Sequence, residues 1–400
     1  LTTGGAETML LKLLSAASGN IEHVVVSLGD EGTIGPRIAA LGIPVHCLGL
    51  KRNAPNPFRA LSILPLARRL APQLIQGWMY HGNLMASMAA SVLRSNTPSE
   101  NASPKSAPSK SALRKQAPER GSPHKKVPVL WNIRQTVYHL RNERWLTAKL
   151  IRLGARLSAR PAAIIYNSQT SAAQHEALGY RAEKRVIIPN GFDCQVLCPD
   201  ETARKAVRTE LGVTEDEILI GLVARYHPMK DHAGFLRAAA LVALEHPHAR
   251  FVLAGTGISA QQTELAAALK QNELQGRVIL LGERSDIPRL NNAFDIACSA
   301  SAWGEGFSNS IGEAMACGVP CGVTDVGDSA YIVGDTGLVA PPRDPQALAK
   351  AIVRLIGMER TGRQQLGAKA RNRIETQFSL PAIVQRYEEL YRALELNPSP

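Results

Sequence analysis

The sequence has 400 residues, of which 45% are hydrophobic, and it carries a formal net charge of +12 at pH 7. This length predicts two domains, each with its own buried core. No apolar run approaches the ~18 residues of a membrane span, and the six scattered cysteines form no Cys-x-x-Cys pair. The composition argues against a membrane-spanning protein, a zinc site and a disulfide framework, and it predicts a cytoplasmic protein.

Much of the positive charge lies in one segment. Residues 95–126 carry seven Lys or Arg against two Glu, and they contain almost no large apolar side chain. Such a composition cannot repay the entropy cost of folding, so it predicts a disordered basic insertion. No helix-turn-helix, zinc finger or aromatic-rich platform accompanies the charge. We therefore predict no nucleic-acid binding, and the remaining charge is compatible with anionic nucleotides or anionic lipid.

The N-terminal half alternates short apolar runs with helical patterns. Adjacent glycines, Gly4 and Gly5, precede the first helix, where they would let an anionic ligand approach the backbone. Predicted strands follow at 23–27, 44–48, 74–77, 129–133, 162–166 and 186–189. Predicted helices lie at 34–41, 58–70, 83–93 and 169–178. Apolar strands separated by helices predict a parallel, doubly wound sheet and an α/β fold.

Residues 141–160 combine basic and apolar side chains near helical spacing. The basic ones are Arg144, Lys149, Arg152, Arg156 and Arg160, and the apolar ones include Trp145, Leu146 and Leu153. Such a helix can lie on an anionic membrane surface, which would make the protein peripheral on the inner face of the cytoplasmic membrane. The alternative is an ordinary surface helix that packs through its apolar face.

The C-terminal half repeats the alternation after a turn at Asn190 and Gly191, which is a plausible hinge. Strands are predicted at 218–224, 250–253, 278–281 and 295–299. Helices are predicted at 231–244, up to about 270, and at 309–317, 345–356, 363–376 and 381–394. We predict an N-terminal domain at 1–194, a C-terminal domain at 195–378, and a final helix within 379–400 that crosses back onto the first domain.

Two carboxylates flank the start of the helix predicted at 309–317. Glu305 and Glu313 lie eight residues apart, around a short loop with the sequence GFSNS. Free N–H groups at a helix N-terminus favour an anion such as a diphosphate, and the carboxylates could hold sugar hydroxyls beside it. Ser310 and Glu313 also have the spacing of a capping box, so a purely structural role for Glu313 is the alternative.

Three further side chains are predicted at the carboxyl edges of the sheets, where parallel sheets bind ligands. Arg225 and Lys230 flank a loop after the first strand of the second domain, and they could offset the charge of a leaving diphosphate. They could equally be ordinary exposed basic residues. His81 follows a strand of the first domain, where it could orient a sugar hydroxyl or merely cap a helix. The sequence contains no Asp-x-Asp, so we predict no metal site and no cofactor.

Several motifs together resemble the retaining, nucleotide-sugar-dependent glycosyltransferases of family four, the surface-polysaccharide type of glycosyl transferases group 1. The motifs are GGAE at 4–7, IPNGFD at 188–193, VARYHPMKDH at 223–232, LGERSDI at 281–287, EGFSNSIGEAMACGVP at 305–320 and GLVAPPRDPQALA at 337–349. The resemblance implies a GT-B fold, in which two Rossmann-like domains face each other across a cleft. Members have a strand before the Gly-Gly turn, so that strand is expected to be missing here. They usually have Gly at the position of Ala224.

The resemblance also implies roles for the matching residues. Glu305 would contact the donor sugar near the reacting carbon, and Glu313 would bind the ribose. The implied catalytic residues are Glu305, His81, Arg225 and Lys230. The implied donor-binding residues are Gly4, Gly5, Arg284, Gly306, Phe307, Ser308, Asn309 and Glu313. The segment around Arg284 would pass beside the nucleotide base.

The reaction implied is transfer of a sugar from a nucleotide sugar, of the UDP type, to a hydroxyl of a glycan or lipid-linked acceptor, with retention of configuration. Two alternatives are open from the sequence. A nucleotide-sugar epimerase of the same fold would need no acceptor, and a non-catalytic protein would bind the sugar nucleotide without turnover.

Overall fold

The computed structural model describes residues 1, 4–50, 57–93 and 126–396. Within these residues the strands form three parallel sheets of two, four and six strands. The N-terminal half contains β1 Val25–Ser27, β2 Val45–Cys47, β3 Ile75–Trp78, β4 Val129–Ile133, β5 Ala163–Tyr166 and β6 Arg185–Ile187. The C-terminal half contains β7 Ile218–Val223, β8 Ala249–Ala254, β9 Val278–Leu280, β10 Ile296–Ser299, β11 Cys321–Thr324 and β12 Gly337–Ala340. The predicted α/β class with parallel sheets is confirmed, although the N-terminal strands form two sheets rather than one.

Helices connect these strands in both halves. Those of the N-terminal half are α1 Gly5–Ser15, α2 Gly35–Ala39, α3 Pro57–Leu61, α4 Ile63–Leu70, α5 Met79–Ala90, α6 Trp145–Leu157 and α7 Gln169–Ala177. Those that follow are α8 Glu201–Glu210, α9 His232–Glu245, α10 Thr263–Gln271, α11 Ile287–Ala293, α12 Asn309–Ala316, α13 Ser329–Val333, α14 Pro345–Ile356, α15 Glu359–Arg373 and α16 Leu380–Leu396. Short 3₁₀ turns lie at Leu140–Asn142, Ala182–Lys184, Pro228–Lys230 and Gly334–Thr336, and a π-turn lies at Ile374–Phe378.

The structure corrects several predicted boundaries. The single helix predicted at 58–70 is two helices, α3 and α4, and the helix predicted from residue 83 begins four residues earlier at Met79. The elements α8, β11, α13 and β12 have no predicted counterpart. The predicted disordered insertion at 95–126 lies, apart from Lys126, outside the described residues. Over the part of the chain that is described, no helix has both the length and the apolar character needed to cross a bilayer.

The six-stranded sheet has the strand order β12-β11-β10-β7-β8-β9. Its strands alternate their side chains between two apolar layers, so that Leu219 and Val252 pack on one face while Ile220 and Phe251 pack on the other. The chain order reverses between β7 and β10, which pair directly with Ile220 opposite Ile296. In open parallel sheets the crevice at such a reversal, outside the carboxyl ends of the strands, is where ligands bind.

The C-terminal helix α16 packs against the N-terminal sheet. Ile383 and Tyr387 belong to the same buried cluster as Leu130 of β4 and Ile165 of β5. The Tyr387 hydroxyl accepts a hydrogen bond of 2.9 Å from the side-chain amide of Asn132. Where the chain returns to this domain, Phe192 and Leu380 are joined through their backbones, with Leu380 N–H donating to Phe192 C=O over 2.7 Å. The two halves are therefore connected at residues 188–192 and again at residues 378–380.

A buried histidine organises the other face of the N-terminal sheet. His175 of α7 is fully buried among Tyr80, Tyr166 and Tyr180. Its Nδ1 lies 2.7 Å from the Ser171 carbonyl, which can only accept, so Nδ1 carries the proton. Its Nε2, 2.9 Å from the Tyr80 hydroxyl, is then the acceptor. Burial lowers the pKa of His175 to about 4, because a charged ring is unfavourable away from solvent, and the hydrogen bond to the Ser171 carbonyl opposes this shift only in part.

We expect His175 to make folding stability pH-dependent. Between pH 6.5 and about 4 the unfolded chain binds a proton at this residue and the folded chain does not, so stability falls as pH decreases through this range. The loss from this group between pH 7.5 and pH 5 is about 2 kcal/mol. Urea unfolding of the wild type and of His175→Gln at both pH values measures it. His175→Gln should be less stable than the wild type at pH 7.5, but its free energy of unfolding should fall less between pH 7.5 and pH 5. An equal fall in both proteins would contradict the prediction.

Candidate active site

The loops after β7 and β10 meet at the reversal of strand order. Met229 C=O accepts a hydrogen bond of 2.8 Å from Ala302 N–H, which joins the two loops through their backbones. Gly304 has φ of +82°, and a Cβ there would lie 2.8 Å from the Met229 side chain, so the close approach requires glycine. The sheet topology thus brings the segments that carry Lys230 and Glu305 into direct contact.

Lys230 and Glu305 form an ion pair in this crevice. Lys230 ends the 3₁₀ turn Pro228–Lys230, and its ammonium contacts the Oε1 atom of Glu305. The same Oε1 accepts a 2.6 Å hydrogen bond from the Ser301 hydroxyl. Glu305 is 7% exposed, so its carboxylate is held by two partners in a largely dry position. Two of the residues predicted to be catalytic are therefore adjacent, although they lie 75 positions apart in the chain.

The helix α12 begins at Asn309, four residues after Glu305. Its N-cap is Ser308, which makes no side-chain capping bond, and Ser310 lies inside the helix. The capping-box alternative for Glu313 is therefore wrong, since Ser310 is not the N-cap residue. Phe307 stacks on Phe192 and contacts Phe378 with its buried ring, so only its backbone remains for a ligand.

Glu313 lies on α12 opposite α1 of the N-terminal half. Burial raises the pKa of Glu313, and the positive charge of Lys12 on α1 opposes that rise. Gly4 is the N-cap of α1, where a Cβ would lie 2.5 Å from a carboxylate oxygen of Glu7, and a Cβ added to Gly5 would meet nothing within 4 Å. The start of α1 therefore has open space beside Gly5, whereas the Glu7 carboxylate lies beside Gly4.

The other predicted residues lie further from the Lys230–Glu305 pair. Arg225 is exposed, and its guanidinium lies 3.9 Å from the Met229 sulfur in the same loop. His81 is exposed in the first turn of α5, directly after β3, as the sequence indicated. Arg284 follows β9, two strands away from β7. Its guanidinium is paired with Asp286 through two hydrogen bonds of 2.7 Å and with Glu210 at 2.5 Å, so it is already occupied.

Sequence reasoning missed Arg134, which follows β4 at the carboxyl edge of the N-terminal sheet. Its guanidinium donates to the Tyr387 hydroxyl over 3.0 Å, contacts the side chain of Asn190, and lies 5.4 Å from the ring centre of Trp78. The Asn190 amide in turn donates to the Asn309 side chain over 2.6 Å. A polar chain thus runs from the N-terminal domain to the first residue of α12. The sequence feature that could have identified Arg134 is its position directly after an apolar strand.

We find no cluster of three or more His, Cys, Asp or Glu side chains arranged to hold a metal ion within the described ranges. Positive charge in the crevice comes from Lys230 and Arg225 and from the free amide groups at the start of α12. These are the groups that bind an anionic ligand such as a diphosphate.

Comparison with known proteins agrees with this geometry. Residues 217–358 match the family described as Glycosyl transferases group 1. The chain is 28% identical over 220 residues to the UDP-Gal:alpha-D-GlcNAc-diphosphoundecaprenol alpha-1,3-galactosyltransferase of Escherichia coli, covering 53% of this chain and 54% of that protein. It is 27% identical over 252 residues to the lipopolysaccharide core biosynthesis mannosyltransferase LpsB of Rhizobium meliloti, covering 59% of this chain and 68% of that protein. It spans between about a third and about half the length of the first curated relatives that it matches.

The fold is also shared with solved structures. The Anabaena protein HepE in complex with UDP superposes with a TM-score of 0.76 at 23% identity, covering 98% of this chain and 97% of that chain. These findings confirm the GT-B fold that the sequence motifs indicated, and they show the glycosyl transferases group 1 match over residues 217–358. The chain therefore has the GT-B fold, and its residues 217–358 form a glycosyl transferases group 1 domain.

Proposed function

We propose that the protein is a retaining glycosyltransferase that moves a sugar from a UDP-sugar to a hydroxyl of a glycan or lipid-linked acceptor without a metal ion. The observation that carries the proposal is the Lys230–Glu305 pair at the strand-order reversal, with Glu305 four residues before the start of α12. A cation and free amides beside a buried carboxylate suit a ligand that joins a diphosphate to a sugar.

The relatives support the choice of donor and acceptor. HepE was solved with UDP and with UDP-glucose, and the Escherichia coli relative is named for transfer from UDP-Gal to a diphosphoundecaprenol-linked sugar. The Rhizobium meliloti relative is named for lipopolysaccharide core biosynthesis. We therefore propose a UDP-sugar donor and an acceptor that belongs to a surface glycan.

In this proposal the diphosphate lies against the start of α12, where the backbone N–H groups of 307–309 point to it. Lys230 and Arg225 offset the charge that develops on the leaving group. The N-terminus of α1, with Gly5, approaches the same ligand from the other domain. Glu305 faces the donor sugar, and Glu313 binds the ribose.

The proposed chemistry takes place on one face of the sugar. The bond from C1 of the sugar to the phosphate oxygen breaks, and its electron pair goes to the diphosphate. The acceptor oxygen then bonds to C1 from the same face, and its proton passes to the leaving phosphate oxygen. Water must be excluded while the cationic sugar exists, and the meeting of the two domains around the crevice serves this purpose.

A donor screen tests the proposal. Thermal shift with UDP-, GDP- and ADP-sugars identifies a nucleotide sugar that binds, and a glycan or lipid-linked acceptor is then added. The expected product has one more sugar by mass spectrometry, in the anomeric configuration of the donor by NMR. An altered nucleotide sugar formed without acceptor would contradict transfer, and so would donor binding without any product.

The surface of α6 supports a second part of the proposal, attachment to an anionic membrane. Trp145 is 70% exposed and Leu153 is 43% exposed, while Ala148, Ile151 and Gly154 face the protein. The exposed basic residues on and beside this face are Arg144, Lys149, Arg152, Arg156 and Arg160. A helix that packs through one face and leaves Trp145 and Leu153 exposed among cations suits a lipid surface.

Liposome co-sedimentation tests this attachment. We expect the protein to sediment with vesicles containing anionic lipid. Arg152→Glu with Arg156→Glu should lower the partition coefficient by about 30-fold or more, since each basic residue contributes about 1 kcal/mol near the membrane surface. Lys350→Glu with Lys369→Glu is the matched control, because it makes the same charge change at exposed positions of the other domain. Equal loss in both double variants would refute a specific role for α6.

A further inference from the structure

A carboxylate of the C-terminal domain binds the N-terminus of a helix in the N-terminal domain. Asp328 lies in the turn between β11 and α13 and is 3% exposed. One carboxylate oxygen accepts from Gln169 N–H over 2.8 Å. The other accepts from Thr170 N–H over 3.0 Å and from the Thr170 hydroxyl over 2.9 Å. These donors begin α7, so three hydrogen bonds to one side chain cross between the domains.

The backbone of the same residue holds the segment that carries Glu305. Asp328 N–H donates to the Gly306 carbonyl over 2.9 Å. The preceding Gly327 has φ of +63°, and a Cβ there would lie 2.5 Å from the Glu305 carbonyl oxygen, so the two segments are in close contact. Asp328 therefore connects α7 of one domain to the Glu305 segment of the other.

The N-terminal domain contacts this segment directly as well. The Thr136 hydroxyl donates to the Gly304 carbonyl over 3.0 Å, and the Tyr138 hydroxyl lies 3.5 Å from the Glu305 carbonyl. A Cβ added to Gly306 would lie 3.3 Å from the Ser168 hydroxyl. The segment 304–306 thus lies between the N-terminal domain and the Gly327–Asp328 turn.

Charge makes the Asp328 contact stronger than an ordinary polar contact between domains. A carboxylate at a helix N-terminus is stabilised by the free amides and by the helix dipole, and its hydrogen bonds are charge-assisted. Interfaces between domains of one chain otherwise tend to allow relative motion. Separation of the domains here would break three hydrogen bonds at once and strip a buried carboxylate of its donors, which is unfavourable.

We propose that Asp328 is a positioning residue that holds the two domains together through α7 and thereby fixes the backbone of Glu305 for sugar transfer. This inference rests on the proposed function for its effect on turnover, but not for its effect on domain arrangement. Asp328 acts through Gly306 and α7 and needs no contact with the donor. The contact with α7 thus links the arrangement of the domains to the geometry of the site.

Two measurements on Asp328→Ala test the proposal. Small-angle scattering should show a larger radius of gyration than the wild type, because the domains separate. Steady-state kinetics should show kcat reduced about 10- to 100-fold with the donor KM changed by less than about threefold, as expected when reacting groups are misplaced and donor contacts remain. A purely structural role would lower the folded fraction but leave kcat per folded molecule, and the radius of gyration of the folded protein, unchanged.

Asp344→Ala is the matched control. Asp344 also caps a helix with its carboxylate, accepting from Ala347 N–H over 2.9 Å, but both groups lie in the C-terminal domain. Its loss should lower the melting temperature and leave the scattering curve and kcat unchanged. Thr170→Val removes only the hydroxyl donor, so it should reduce kcat less than Asp328→Ala, and it serves if the alanine variant does not fold.

The outcomes separate this inference from the proposed function. If Asp328→Ala, or Thr170→Val in its place, leaves both the scattering curve and kcat like those of Asp344→Ala, the positioning role is overturned. If the wild type transfers no sugar from any donor but Asp328→Ala still enlarges the molecule, the proposed function fails and the contact between domains stands.

Discussion

Replacing Glu305 by Gln or Lys230 by Ala is expected to lower kcat for sugar transfer by about 100- to 1000-fold, the usual cost of removing one group that stabilises charge in a transition state. Glu305→Gln removes the charge that faces the sugar but keeps an oxygen for the Ser301 hydroxyl. Lys230→Ala removes the cation that would receive the leaving diphosphate. Both variants should stay folded at 25 °C. In Lys230→Ala the Ser301 hydroxyl still donates to Glu305, and in Glu305→Gln the Lys230 side chain, which is 17% exposed, can reach water.

The measurement is the initial rate of transfer at saturating donor and acceptor, with circular dichroism and a melting curve for each variant. Lys230→Arg keeps the positive charge but changes its shape, so it should retain more activity than Lys230→Ala. Near-normal turnover in both Glu305→Gln and Lys230→Ala would refute the site assignment. A collapse of the melting temperature in both would instead show that the pair serves mainly to stabilise the fold.

Replacing Asp295 by Ala should have the opposite profile, with a large loss of stability and little loss of activity per folded molecule. Asp295 precedes β10, so it lies at the amino end of the strand whose carboxyl end leads to Glu305. Its carboxylate binds Arg204 over 2.8 Å and Arg208 over 3.0 Å, and it accepts from Leu219 N–H over 2.8 Å. Removing the carboxylate leaves the buried Arg208 without its charged partner, which costs about 3–5 kcal/mol.

Urea unfolding, followed by fluorescence, measures this loss, and the rate is normalised to the folded fraction. Asp295→Asn should lose less than Asp295→Ala, since the amide oxygen still accepts from Leu219 N–H or an arginine. Asp295→Ala and Glu305→Gln can be compared directly, because each removes a carboxylate at one end of β10: Asp295 precedes the strand, and Glu305 lies in the loop that follows it. If Asp295→Ala lowered kcat as much as Glu305→Gln, the two ends of β10 would not differ in function as proposed.

Several residues show where sequence reasoning reached its limit. The helix predicted from residue 83 begins at Met79, which has φ of +60°, and the next residue, Tyr80, is buried with its hydroxyl hydrogen-bonded to His175. Gly82 is a weak helix former, so local propensity does not predict a helix that already includes residues 79–82. The pairing of Arg284 with Glu210 depends on a helix 74 residues away in the chain. Propensity describes only neighbouring residues, so it cannot report such contacts.

The sequence by itself determined the α/β class, most of the strands and helices of the C-terminal half, and the residue types suited to a diphosphate and a sugar. These follow from apolar periodicity, from glycines and from short motifs, all of which are local. Only the tertiary structure decided that Lys230 meets Glu305 and that Asp328 binds α7, across 75 and 158 or more residues of chain. The physical reason is that strand order and domain packing, not spacing along the chain, determine which distant side chains become neighbours.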